Sequence, residues 1–203
     1  MKLIGMLDSP YVRRVAVSLQ LLDLPFEHQS LSVFRGFDEF GHTNPVVKAP
    51  TLVCDDGTVL MDSTLILQYA EALAGRSLQP AEPKALAQAL RTVGLALAAC
   101  EKAVQIVYER GLRPADKQHA PWVARVTGQL LAACDGLEQA VPTRMDQAGV
   151  STAVAWEFIQ KMVPDVVPAA RYPRLVAFSQ AAEATPAFAA APHGDGTVPV
   201  SRQ

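Results

Sequence analysis

The sequence has no apolar run approaching the roughly 18 residues that a membrane-spanning helix needs, so no membrane segment of that kind is expected. It has only three cysteines, Cys54, Cys100 and Cys134, an odd number with no CxxC or Cys/His spacing. That spacing argues against a disulfide framework or a structural zinc site, and in a reducing compartment the three read as small core residues. The four histidines, His28, His42, His119 and His193, also lack metal-ligand spacing, so no metal is expected. Neither sign of charge dominates. The formal net charge is −2, with 6 basic and 9 acidic residues up to position 80 and 12 and 11 beyond it. Neither half forms a basic patch, which argues against a nucleic-acid partner. The apolar stretch opening "MKLIGMLDSP" is too short for a secretory signal and reads as a strand, so a cytoplasmic location is expected. There is no internal repeat and no low-complexity tract.

What is present is ordinary soluble-protein material: half the residues are apolar, and 203 residues can bury a real core as one large or two small domains. Residues 2–7 predict a strand buried on both faces. Ser9 is a good N-cap and Pro10 suits the first helical position, with Val12, Val15, Ala16 and Leu19 following at helical spacing. A turn at 23–25 leads to a second short strand, giving a β-α-β unit with parallel strands. Residues 32–47 read as irregular. The runs "TLVC" and "TVLM" flank Asp55-Asp56-Gly57, a strong hairpin signal, and Asp62 and Ser63 stand where a helix begins. Residues 77–84, "SLQPAEPK", predict a linker. Beyond them the pattern predicts helices over 83–110, 119–140, 151–163 and about 173–184, with the last ten residues fraying.

Four pieces in this order, "SPYVRRV", "NPVVKAPTLV", "LMDSTLILQYAE" and "ATPAFAAAP", together with "YERGLRPADKQHAPWVARVTGQLLAACDGLE", resemble the bacterial glutathione S-transferases, with a serine-type N-terminal motif, over almost the whole chain. The resemblance implies an α/β plus all-α protein: a thioredoxin-like glutathione-binding domain over 1–76, a linker over 77–84, and an all-helical domain over 85–203. It also implies a homodimer in which one subunit's N-terminal domain faces the other's helical domain. Three departures stand out. Val47 occupies a position where the family usually has glycine, and Ala49 one where it usually has valine. Ser151-Thr152-Ala153-Val154 lacks the acidic residue that would complete a helix-capping box.

Ser9 has two readings. As a helix start, its oxygen accepts a backbone N–H and nothing more. As a functional group, its hydroxyl donates to a substrate thiolate. A thiol of pKa about 8.5 must fall by roughly 2 to ionise mostly at pH 7, which is about 2.7 kcal/mol. A helix N-terminus contributes about 0.3–1 kcal/mol, up to about 2, and a hydrogen bond to a charged group about 1.5–3. Together they suffice, and the resemblance favours this catalytic role. Tyr11 lies on a different face and is a candidate for the electrophile pocket instead.

The resemblance implies a cis Ala49-Pro50 bond, with the Ala49 backbone pairing with the cysteinyl backbone of glutathione in the manner of an added strand. Asp62 and Ser63 are good helix starters, and a helix N-terminus with a hydroxyl also suits the γ-glutamyl carboxylate. Lys48 is a candidate partner for the glycyl carboxylate, with Arg35 behind it. Arg13 and Arg14 read as helix-face and interdomain charges without chemistry. Tyr108 is a candidate for the hydrophobic pocket, and Glu109, Arg113 and Trp156 read as packing or surface pairs.

The expected function is therefore a glutathione S-transferase that joins the glutathione thiolate to a small hydrophobic electrophile. Glutathione is a co-substrate and no cofactor is implied. Two other classes compete. A non-catalytic binding or stress protein of the same fold is favoured by Val47. A glutathione-dependent thiol–disulfide oxidoreductase would need a protein thiolate where Ser9 stands.

Overall fold

The computed structural model describes residues 1–199. It resolves into two compact units: residues 1–78 together with residues 184–199, and Gln79–Glu183.

In the first unit, β1 (Lys2–Ile4), α1 (Pro10–Leu21) and β2 (Glu27–Gln29) form the β-α-β unit, with β1 and β2 parallel. β3 (Thr51–Val53) and β4 (Val59–Met61) form the hairpin, followed by α3 (Ser63–Ala74). The strand order is β2-β1-β3-β4, with β3 antiparallel to both neighbours. This is the thioredoxin-like arrangement that the resemblance implies. The hairpin closes where Gly57 takes φ +85°, donating to the Cys54 carbonyl, while Asp56 accepts from the Thr58 N–H. Leu3, Leu7, Val12, Val15, Ala16, Leu19, Leu52 and Ile66 build the core between sheet and helices. The first strand is shorter than the apolar run predicts, because Gly5 turns the chain at φ +137°.

Three expectations are corrected here. The stretch read as irregular contains α2 (Phe37–Thr43), whose Phe40 is fully buried. Gly36 and Gly41 hid it, since both are poor helix formers, while Asp38 and Glu39 favour its first turn. Arg13 and Arg14 are not surface charges but are 1% and 3% exposed. Both faces of α1 are covered, and Arg13 Nε donates to the Ala191 carbonyl at 2.7 Å with its guanidinium over the Phe188 ring. Residues 193–199 pack where fraying was expected, and the described segment from Ala184 belongs to the first unit, not to a helical domain over 85–203. Here α8 (Pro186–Ala189) lies against α1 and buries Phe188. Ser30 Oγ donates to the Asp195 carbonyl, and Val198 is buried with its N–H donating to His28 Nδ1 at 3.0 Å. Because Val198 offers a donor, His28 must carry its proton on Nε2, which donates to the Gly5 carbonyl at 2.8 Å. Burial holds the His28 pKa below the usual histidine range, as this neutral role requires. The last part of the expected frayed segment, 200–203, lies outside the described residues.

The second unit is helical: α4 (Pro83–Leu112), α5 (Ala120–Gln139), α6 (Gln147–Met162) and α7 (Pro173–Glu183), with short 3-10 turns between α4 and α5 and between α6 and α7. Alanines and leucines at helical spacing make its core, with Cys100 and Cys134 among them. No disulfide joins the three cysteines, all of which are buried, and burial pushes the Cys134 thiol up to about 12. The α6 helix starts earlier than predicted. Asp146 caps it, accepting from the N–H groups of Ala148 and Gly149, so the incomplete Ser151 box lies inside the helix rather than at its start.

Candidate active site

The site is assembled by strand register. Ile4 of β1 faces Thr51 of β3, and Thr51 faces Met61 of β4. The chain therefore leaves β1, enters β3 and leaves β4 at one end of the sheet. That brings together residues 5–9, 48–50 and 62–63. The closeness is quantitative: a Cβ built on Gly5 falls 3.0 Å from the Ala49 Cβ.

Ser9 is the N-cap of α1, with extended backbone and Pro10 at the first helical position. Its Oγ lies 3.5 Å from the Val12 N–H, at the outer limit of a hydrogen bond. That contact uses a lone pair and leaves the hydroxyl proton for another acceptor. The Asp8 carboxyl beside it is raised above its ordinary pKa by burial, which outweighs the opposing pull of His193. Tyr11 is half-buried in the first turn of the helix.

The Ala49-Pro50 bond is cis. Ahead of it, Val47 sits at φ +50°, a β-branched residue in the left-handed region where glycine carries no penalty. The surrounding bonds hold it there. The Val47 N–H donates to the Asn44 carbonyl, Asn44 Nδ2 donates to Thr51 Oγ1 at 2.8 Å, and Thr51 Oγ1 donates to the Lys48 carbonyl at 2.7 Å.

Asp62 caps α3 at φ +69°, its Oδ1 accepting from the Thr64 N–H. Its other oxygen is 4.0 Å from Lys48 Nζ, an exposed pair that contributes little by itself. Ser63 is buried at the first position of the helix. Sequence reasoning missed what supports it: Arg14 Nη1 donates to Ser63 Oγ at 3.1 Å and to Thr64 Oγ1 at 3.2 Å. No spacing signal could have found this, since the two segments are about 50 residues apart. Arg35 is turned toward the sulfur of Met6.

The remaining candidates belong to the second unit. Tyr108 is 43% exposed on α4. Glu109 accepts from the His119 N–H and pairs with Arg113, and Trp156 is buried edge-on to Tyr172, so these three serve packing and capping. Among the described residues no group of side chains could hold a metal ion, and no helix is long and apolar enough to cross a membrane.

The N-terminal helix starts of α1 and α3 both present a positive helix end and a hydroxyl, a pairing that favours two anionic groups. Residues 3–80 match the family model for the glutathione S-transferase N-terminal domain. A glutathione S-transferase from Methylobacterium radiotolerans, solved in complex with glutathione sulfonate, superposes with a TM-score of 0.87 at 26% identity over 100% of this chain and 96% of its own. A glutathione transferase family member from Pseudomonas fluorescens with bound glutathione superposes with a TM-score of 0.83 at 28% identity, over 94% and 97%. Among curated proteins, the uncharacterised GST-like protein YibF of Escherichia coli is 32% identical over 73 residues, 36% of either chain. Glutathione transferase GST 23 of Zea mays is 28% identical over 109 residues, 53% of this chain and 49% of that protein. The chain thus matches a third to a half of the length of these curated relatives. Residues 3–80 thus match a glutathione S-transferase N-terminal domain, and the fold along nearly the whole chain is similar to that of solved glutathione S-transferases.

Proposed function

We propose that this protein is a glutathione transferase, and that the convergence of Ser9, Ala49-Pro50 and Asp62-Ser63 at one end of the sheet is its glutathione site. In this reading the γ-glutamyl carboxylate lies at the N-terminus of α3 against Ser63 and Asp62. The cysteinyl backbone pairs with that of Ala49, and the glycyl carboxylate points toward Lys48. The thiol then falls at the start of α1, where the Ser9 hydroxyl donates to its ionised form. Charge-assisted donation and the helix end together supply the ionisation energy, and the site contributes proximity besides. The thiolate sulfur bonds to an electrophilic carbon of a small hydrophobic partner, and any leaving group departs with its electron pair. Tyr11 is our candidate for the wall of that pocket. The thiol–disulfide reading has no thiolate to use, since Ser9 holds the helix start and all three cysteines are buried.

Binding tests this reading directly. Calorimetry at millimolar glutathione should show saturable heat, and Ser63→Ala should weaken binding by about 1–3 kcal/mol, roughly 5- to 150-fold, because a carboxylate loses a donor. No heat in the wild type, with an empty site after a crystal soak, would overturn it.

We propose further that the protein is a homodimer. Leu65, Tyr69 and Leu73 repeat every four residues along α3 and are exposed, as are Val59 and Met61 on the neighbouring edge strand β4. A continuous apolar stripe beside an unpaired strand edge is a surface that a second copy of the chain would cover. Light scattering at micromolar concentration should give twice the chain mass, and Leu65→Glu should reduce it to one. A wild-type mass of one chain would refute the dimer.

A further inference from the structure

We infer that Arg14 is a positioning residue for the γ-glutamyl carboxylate, acting through Ser63 and Thr64. The inference rests on the glutathione site proposed above and adds a residue to it. A guanidinium has donors only. When Arg14 Nη1 stands 3.1 Å from Ser63 Oγ and 3.2 Å from Thr64 Oγ1, both hydroxyl oxygens must therefore be acceptors. A serine hydroxyl has two lone pairs and one proton. With a lone pair engaged from below by Arg14, its proton is directed elsewhere, and the N-terminal end of α3 is where an anionic acceptor is favoured. Without Arg14, the Ser63 hydroxyl is free to turn its proton toward another acceptor and meet the ligand with a lone pair instead.

Burial makes the arrangement rigid. Arg14 is 3% exposed and Ser63 3% exposed, so neither side chain has room for alternative rotamers. A single nitrogen, Nη1, reaches two adjacent hydroxyls at once, and the planar guanidinium holds its donors in a more fixed geometry than a lysine ammonium on a flexible stem does. The guanidinium also places a full positive charge one hydroxyl away from the carboxylate, in surroundings with little water to screen it. The side chain comes from α1, the same helix whose first turn carries Ser9. The helix that would receive the thiolate therefore also braces the opposite end of the ligand.

The test compares glutathione with 4-aminobutyryl-cysteinyl-glycine, which lacks only the γ-glutamyl carboxylate. Calorimetry measures both against wild type, Arg14→Gln and Arg14→Lys, with folding checked by thermal melts. In the wild type glutathione should bind more tightly than the analogue. In Arg14→Gln that preference should shrink about tenfold, the size of a lost hydrogen bond to a charged group, while the analogue's affinity stays within about twofold. Arg14→Lys should give an intermediate preference, and it carries the test if the glutamine variant does not fold. In a Ser63→Ala/Thr64→Val background, changing Arg14 should alter the preference less than it does in the wild type, because both hydroxyl routes are already cut. A merely structural role predicts equal weakening of both ligands, and that result, or an unchanged preference in a folded variant, overturns the inference. Failure of wild-type protein to bind glutathione at all would instead remove the underlying site.

Discussion

Ser9→Ala should raise the pKa of the bound glutathione thiol by about 1–2 and reduce turnover at neutral pH about tenfold or more. The hydroxyl contact to the Val12 N–H is 3.5 Å long, so little capping energy is at stake. The hydrogen bond lost to a thiolate is charge-assisted, about 1.5–3 kcal/mol, and each pKa unit corresponds to 1.36 kcal/mol. The sign follows from which form is stabilised. Removing a donor to the thiolate disfavours the charged form, so its pKa rises and the thiolate fraction at neutral pH falls. The rate deficit should therefore close as pH is raised past the variant's own pKa, while glutathione affinity above that pKa changes little. The check is thiolate absorbance of bound glutathione against pH for wild type and Ser9→Ala. Superimposable titrations, with only the 0.5–2 kcal/mol stability change of a lost cap, would make Ser9 a helix start alone. The thiolate's donor would then be sought among the backbone N–H groups of the first turn or at Tyr11. Ser9→Cys is a useful companion, since a thiol at a helix N-terminus should acquire a lowered pKa and exchange disulfides with glutathione.

Gly5→Ala should be among the most destabilising single-methyl changes in the chain, by about 3 kcal/mol or more, and should weaken glutathione binding as well. Gly5 lies at φ +137°, where an L side chain is strained. An added Cβ would fall 2.6 Å from Val12 Cγ2 and 3.0 Å from the Ala49 Cβ. Val12 is fully buried on α1, so the methyl would have to push the helix or the loop that carries Ala49-Pro50. The backbone of Gly5 is held from both sides, its N–H by the Gln29 carbonyl and its own carbonyl by His28, so the strand end has no slack. Gly57→Ala is the control. Gly57 also has positive φ, but nothing lies within 4 Å of the added methyl, so only the backbone penalty of about 1–2 kcal/mol applies. Urea midpoints measure the difference. Equal midpoints for the two variants would show that the close approach of β1, α1 and the Ala49 loop is absent.

Local signals in the sequence were enough for most of the elements. Strand 51–53, Asp55-Asp56-Gly57 and strand 59–61 announced a hairpin because β-branched runs and a glycine turn carry their geometry locally. Ser9-Pro10 and Asp62 announced helix starts because a capping side chain acts within three residues of itself. The long helices were readable because alanine and leucine at a 3.6-residue period leave no other solution. Helix α2 was missed because its glycines contradict it locally, while the burial of Phe40 that supports it comes from the fold. What tertiary structure alone decided lies further apart along the chain. Arg14 meets Ser63 across 49 residues, and Arg13 meets the Ala191 carbonyl across 178. On a helical wheel the two arginines look like solvent-facing charges, and nothing in their spacing says that a later segment will cover them. The same holds for His28, whose protonation state is dictated by Val198 from 170 residues away. Helix caps and turns draw their energy from neighbours in sequence, so they can be read there. A buried polar side chain draws its stability from whichever group the fold brings to it, and that group is known only once the chain has folded.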